Sequence, residues 1–185
     1  MQEASIQDLE LPAADLTLDA LAKRGFDALG TLYRKGRCAR SMHAVDGAPK
    51  GRALAVRGID SIPFAARWIH GLEGSSHFVW DGKTFQASSD REGAGINRVQ
   101  IPGALGQQKL FPFDTRFGNS LFDGGQALIL DYDLPQNPFW IRGIHDEIRE
   151  VSPGLFLGPA MWKTRPGVAT TLLWFSLDTT TRGWS

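Results

Sequence analysis

The chain has 185 residues, 42% hydrophobic and 22% charged, which suits one globular domain with its own buried core and excludes a chain disordered as a whole. Twenty basic residues balance twenty acidic ones, so no long-range field recruits nucleic acid or an anionic membrane, and neither is expected as a partner. The single cysteine, Cys38, excludes an internal disulfide and gives no sign of an oxidising compartment.

Residues 1–14 read as a flexible lead-in ending near Pro12. Glu3, Asp8 and Glu10 interrupt it and no apolar h-region is present, so it does not read as a signal peptide. No run approaches the roughly 18 apolar residues of a membrane helix. A cytoplasmic location is therefore expected. Helical periodicity follows in Leu16, Leu18, Leu21, Phe26, Leu29 and Leu32, with Asp15 or Thr17 placed to cap it. Gly25 is a candidate break and Gly36 the end. Arg34, Lys35, Arg37 and Arg40 make a local basic group, and Cys38 reads as a structural or surface thiol.

Beyond Gly36, Gly and Pro recur at short intervals between short apolar runs. Arg52–Gly58 predicts a strand, and Phe64–Gly71 predicts a strand or a short helix. His77–Gln86 holds Asp81-Gly82, a dipeptide that favours a tight hairpin. Arg98–Ile101 predicts another strand, and 102–125 a long connection placed to cover a pocket mouth. Gln126–Leu134 is the clearest strand: Leu128, Leu130, Tyr132 and Leu134 share one face, and Ile129, Asp131 and Asp133 the other. Ile141, Ile144, Ile148 and Val151 recur at helical spacing, predicting a short helix over WIRGIHDEIREV. Leu155–Trp162 and Val168–Asp178 predict a terminal hairpin around Arg165-Pro166-Gly167, and 179–185 a frayed tail.

The expected fold is mainly β: a small antiparallel lipocalin-like β-barrel over residues 15–178, with an N-terminal helix and one short helix near the C-terminus. Helices do not alternate with strands, which disfavours parallel α/β.

Several local patterns resemble a bacterial lipocalin-like family of the GXWXG type. They are FDALG at Phe26–Gly30, Gly36-Arg37, WDGKTF at Trp80–Phe85 and LILDYDLPQNPF at Leu128–Phe139. DEIREVSPGLFLG at Asp146–Gly158 and LLWFSLD at Leu172–Asp178 complete them. Where that family carries G-x-W-x-G, this chain reads GRCAR from Gly36, without the tryptophan or the second glycine. The resemblance implies a β-barrel with a small apolar cavity, and no particular reaction.

A barrel of this size holds side chains or one small ligand. Trp80, Trp162 and Trp174, with Tyr132, each sit on a predicted strand as core or as cavity lining. Asp131 and Asp133 project together, either to solvent or into the lumen, where crowding would raise one pKa for proton transfer. Asn97 and Arg98 follow Gly93 and Gly95. Arg98 reads as a bidentate anchor for a ligand carboxylate or as half of a surface salt bridge. On the predicted late helix, Arg142 pairs with Asp146 and His145 neighbours Arg149. That helix is either a solvated face or a lid bringing His145 and Asp146 over the mouth as acid and base. Lys163, beside Trp162, is a further candidate at the ligand.

His43, His70, His77 and His145 show no H-x-H or H-E-x-x-H spacing, so neither metal nor cofactor is expected. A haem, needing one axial histidine, is the outlying alternative.

Two functions compete. One is binding of a small hydrophobic or aromatic metabolite. The other is a cofactor-independent lyase, isomerase or cyclase acting on an aromatic or polyketide-like substrate through Asp131, Asp133, Tyr132, His145, Asp146 and Arg98. A structural or partner-binding role comes third, and a homo-oligomer is compatible with each. The direction in which the Asp131 and Asp133 face points separates carrier from enzyme.

Overall fold

Alternating inward and outward side chains build eight antiparallel strands in a computed structural model that describes residues 16–56, 79–101 and 105–184. They are β1 (Pro49–Val56), β2 (Val79–Ala87), β3 (Glu92–Ile101), β4 (Gly106–Asn119), β5 (Gln126–Asp131), β6 (Ile144–Ser152), β7 (Leu155–Arg165) and β8 (Val168–Arg182). Each pairs with the next, and β8 returns to β1 with Leu177 opposite Gly51, so the sheet closes into a ring. Closure satisfies the edges that an open sheet would leave unpaired.

The N-terminal helix is broken as Gly25 suggests. α1 spans Leu18–Ala22 and α2 spans Phe26–Lys35, with Gly25 capping α2 and Gly36 ending it. The Thr17 side chain accepts from the Ala20 N–H and caps α1. A short 3-10 turn covers Met42–Val45, and α3 is one turn, Phe139–Arg142.

Burial falls into two layers. Inside the ring, Phe85, Phe113, Leu128, Leu130, Phe156 and Leu177 form the inner core. Outside it, Leu21, Leu29, Leu32 and Tyr33 of the helices pack on Val151, Leu155, Leu157 and Trp174 of the sheet. Tyr33, Phe122 and Trp174 meet there edge-on or tilted, with centroids 5.1 to 5.6 Å apart.

This second layer explains the main departure from the sequence reading. WIRGIHDEIREV is not a helix: only Phe139–Arg142 is helical, and Ile144 onward is β6. Ile144 and Ile148 belong to the inner core and Val151 to the outer one. A strand buried on both faces, with Ile144 and Ile148 turned inward and Val151 outward, imitates the helical period.

Other expectations shift for local reasons. Asp81-Gly82 is not a hairpin turn but a bulge within β2, where Trp80 pairs with Val99 and Gly82 with Arg98. The chain reverses instead at 88–91. Most of the predicted connection 102–125 is β4, whose Phe-rich run fills the ring; the turn is 120–125. The predicted strand at 98–101 is the end of the longer β3. The β7–β8 hairpin turns at Pro166-Gly167, with Gly167 at φ 74°. Residues 179–182 are no frayed tail, because β8 runs to Arg182 and Gly183 donates to the Ala48 carbonyl. The lead-in and the segment Phe64–Gly71 lie outside the described residues, as do His70 and His77.

Candidate functional site

The inner core leaves a cavity of about 60 Å³, lined by Trp80, Phe111, Trp140, Leu173 and Phe175 among others, with Lys83, Asn97, Tyr132 and Asp146 as the polar ones among the described residues. At about 30 Å³ per water, this is room for about two waters, and a ring enters only if wall side chains shift or it extends into the mouth, since a cavity that takes up benzene is about 150 Å³. Two aromatic pairs stand at its wall: Trp80 with Phe175 at 5.8 Å, and Phe111 with Trp140 at 5.6 Å.

Three irregularities build this lining. The bulge at Asp81 places Asp81 and Gly82 opposite the single residue Arg98, so Trp80 and Lys83 both face inward. Gly82 has φ 123°, open to glycine and strained for other residues. In β4, Phe111 is the extra residue between Leu110 and Pro112, at φ 58°. A bulky side chain there is a true backbone outlier, and such strain gathers at functional sites. In β8 a register shift at Leu172 brings Leu172 and Leu173 together onto the cavity wall.

The polar residues form one network. Lys83 Nζ donates to Asn97 Oδ1 at 2.9 Å, Tyr132 Oη at 2.5 Å and Asp146 Oδ2 at 2.9 Å. Tyr132 donates to Asp146 Oδ2 at 3.0 Å and accepts from Asn97 Nδ2 at 3.1 Å. Asn97 also accepts from Trp80 Nε1 at 3.1 Å and donates to the Phe111 carbonyl at 3.2 Å. Four rings surround the ammonium, with centroids 5.0 to 5.4 Å from Nζ. Burial pushes the Lys83 pKa down, opposed by the Asp146 carboxylate. Burial, and then that same carboxylate, push the Tyr132 hydroxyl well up. Every hydrogen-bonding atom of the network is engaged except Asp146 Oδ1, which is buried with no partner.

Of the sequence candidates, Trp80, Asn97, Tyr132 and Asp146 converge here, and Trp162 packs against the inner core beside them. The others do not. Asp131 and Asp133 lie on the outer face: Asp131 is 3.6 Å from Lys163, and exposed Asp133 accepts from Arg142 Nε at 2.6 Å. The Arg142 guanidinium holds the Asp133 carboxyl below its ordinary range. Arg142 and Lys163 therefore serve the surface, and Arg142 does not pair with Asp146. Trp174 packs in the outer core under α1 and α2.

Arg98 is wholly buried, but it points away from Asn97's face. It bonds Asp81 at 3.2 Å and the Pro49 carbonyl at 2.8 Å, and also reaches the Lys83 carbonyl. The Trp184 ring lies over its guanidinium. It clamps the ring's end rather than a ligand.

His145 also faces outward from β6, where its Nε2 lies 3.3 Å from Glu147 Oε2. It is neither on a lid nor beside Arg149. Glu147 accepts from Tyr33 Oη at 2.8 Å, from the Leu121 N–H at 2.9 Å and from the Ser120 hydroxyl. Burial alone would raise the Glu147 carboxyl, but these donors with His145 hold it below its ordinary value. Next to it Arg149 clamps Asp123 at 2.6 and 2.8 Å. This outer network ties α2 to β6.

Burial raises the Cys38 pKa, and His43 pairs with Asp46 instead. Among the described residues, no three His, Cys, Asp or Glu gather as metal ligands, and no helix is long and apolar enough to cross a membrane.

Lys83 is the polar residue that sequence reading missed, as it missed Phe111 and Trp140 on the wall. Strict alternation from Trp80 assigns Lys83 to the outer face, and only the bulge turns it in. No family model matches the sequence, and no curated protein matches it. A solved structure, of a protein from Thermomonospora curvata, is similar to the chain at 17% identity, covering 83% of this chain and 86% of that one with a TM-score of 0.47.

Proposed function

We propose that this chain is a cytoplasmic, lipocalin-like β-barrel that binds a small hydrophobic or aromatic metabolite in its lumen. The observation that carries this reading is the aromatic cavity with a buried polar network at its wall. Ligand pockets are mostly apolar, with a few placed polar groups that fix orientation. A barrel serving only as a scaffold would fill this space with side chains, as its Phe85, Phe113 and Phe156 layers do. Screening intrinsic tryptophan fluorescence against aromatic and short acyl ligands tests the reading. Saturable quenching by at least one is expected, and none by any would end it.

A second reading rests on a different observation. Tyr132, Asp146 and Lys83 lie within hydrogen-bond reach of one another in a single cavity. A neutral tyrosine beside a carboxylate can donate a proton while the carboxylate accepts one, the minimum for a lyase, isomerase or cyclase step. Proton NMR of a ligand after incubation separates the two, since it also sees an isomer of equal mass: a carrier returns the ligand unchanged, and an enzyme does not.

A further inference from the structure

The hydrogen bonds of the Lys83 network can be counted among the described residues. The three protons of the Lys83 ammonium have three acceptors, and Tyr132 Oη gives one bond and takes two. Asn97 fills both donors and takes two bonds on its oxygen. What remains is one acceptor, Asp146 Oδ1, on a residue 4% exposed that lines the cavity. Buried carboxylate oxygens are rarely left without a donor.

The charge also closes among the described residues. Lys83 and Asp146 neutralise each other, and the other described lining residues carry no charge. A ligand with its own charge would stand unpaired in an apolar space. A cation on Oδ1 would crowd the ammonium that holds Oδ2, and an anion would face the carboxylate.

We propose that the lumen selects an uncharged ligand no larger than one aromatic ring, bearing a single hydroxyl or N–H group that it donates to Asp146 Oδ1. This rests on the lumen-binding reading and names its ligand class. The flat shape follows from the Trp80–Phe175 and Phe111–Trp140 walls, which offer ring faces and edges.

Four probes of matched size test it by titration calorimetry on the full chain at neutral pH: phenol, toluene, benzylamine as its cation, and benzoate. Phenol should bind about 10- to 100-fold more tightly than toluene, the usual range for one hydrogen bond to a charged acceptor. Both ions should bind more weakly than phenol. Toluene binding as tightly as phenol would overturn the donor requirement and leave an apolar pocket standing. Benzylammonium or benzoate binding tightest would overturn the neutral class. No saturable heat from any probe would overturn this inference, while saturable quenching by an acyl or other aromatic ligand in the fluorescence screen would leave the lumen reading standing. Ala53→Trp, at a residue of the lining, places the site: it should abolish phenol binding, and unchanged affinity in a folded variant would move the site elsewhere and sink the proposal.

Discussion

Lys83 and Asp146, 63 positions apart in sequence, meet at 2.9 Å and join β2 to β6 across the lumen. Neither side chain is more than 5% exposed. Taking both charges out of water is costly, and their attraction offsets this only when the remaining polar atoms are also satisfied. Tyr132 and Asn97 supply that satisfaction on all sides but one.

Removing one partner should therefore do more harm than removing both. Lys83→Met or Asp146→Asn alone is expected to destabilise the fold by about 3–5 kcal/mol, because each strands a buried charge or its donors. The double variant should lose clearly less than the sum. Urea unfolding of the four proteins reads the coupling, and additive losses would show that the two groups do not interact.

Much of the ring was legible in the sequence. The Gln126–Leu134 strand, the closing hairpin and the break at Gly25 follow from alternation, turn residues and helix propensity. The site was half legible. Tyr132 lies inward because Leu128 and Leu130 carry its face into the core, which settles that Asp131 and Asp133 point outward. Asp146 stands out in the sequence, but on a predicted helix rather than on β6. Long-range facts decided the rest: a layer of helices that buries both faces of β6, and bulges that change which residues share a face. Neither leaves a periodic trace in one strand's sequence.

Gly158 on β7 has no room for a side chain against β6. A Cβ there would overlap the Glu147 carbonyl oxygen and crowd Ile148. Backbone atoms cannot swing aside, so Gly158→Ala should cost about 1–3 kcal/mol or more, seen as a lower urea midpoint. Gly167→Ala, at an exposed turn with open space around it but φ 74°, should lose only about 1 kcal/mol through backbone strain.

Glu147 ties acid stability to the outer layer. Its folded pKa lies below the ordinary 4.5. The sign is that of a depressed acid: the stabilisation is complete above the unfolded value and fades as pH falls through the folded one. Glu147→Gln should be less stable than the parent at neutral pH, and the gap should narrow as the medium is taken well below 4.5. A gap independent of pH would mean that the carboxylate's charge contributes nothing beyond its shape.

The tryptophans separate lumen from shell. Trp80 and Trp140 line the cavity and Trp174 does not. A ligand-induced fluorescence change should survive Trp174→Phe and largely vanish in the Trp80→Phe, Trp140→Phe double variant. The reverse pattern would place the ligand under the helices.

The extra residue at Asp81 also alters what counts as an equivalent position in a related chain. A relative one residue shorter there could pair β2 with β3 without interruption, and its tryptophan and lysine would still look inward. It would lose instead the carboxylate that answers Arg98 and Lys50. A single-residue gap after Trp80 is thus silent for whatever occupies the lumen and is felt only by the clasp at the ring's end. When such chains are aligned, that gap should be allowed rather than penalised.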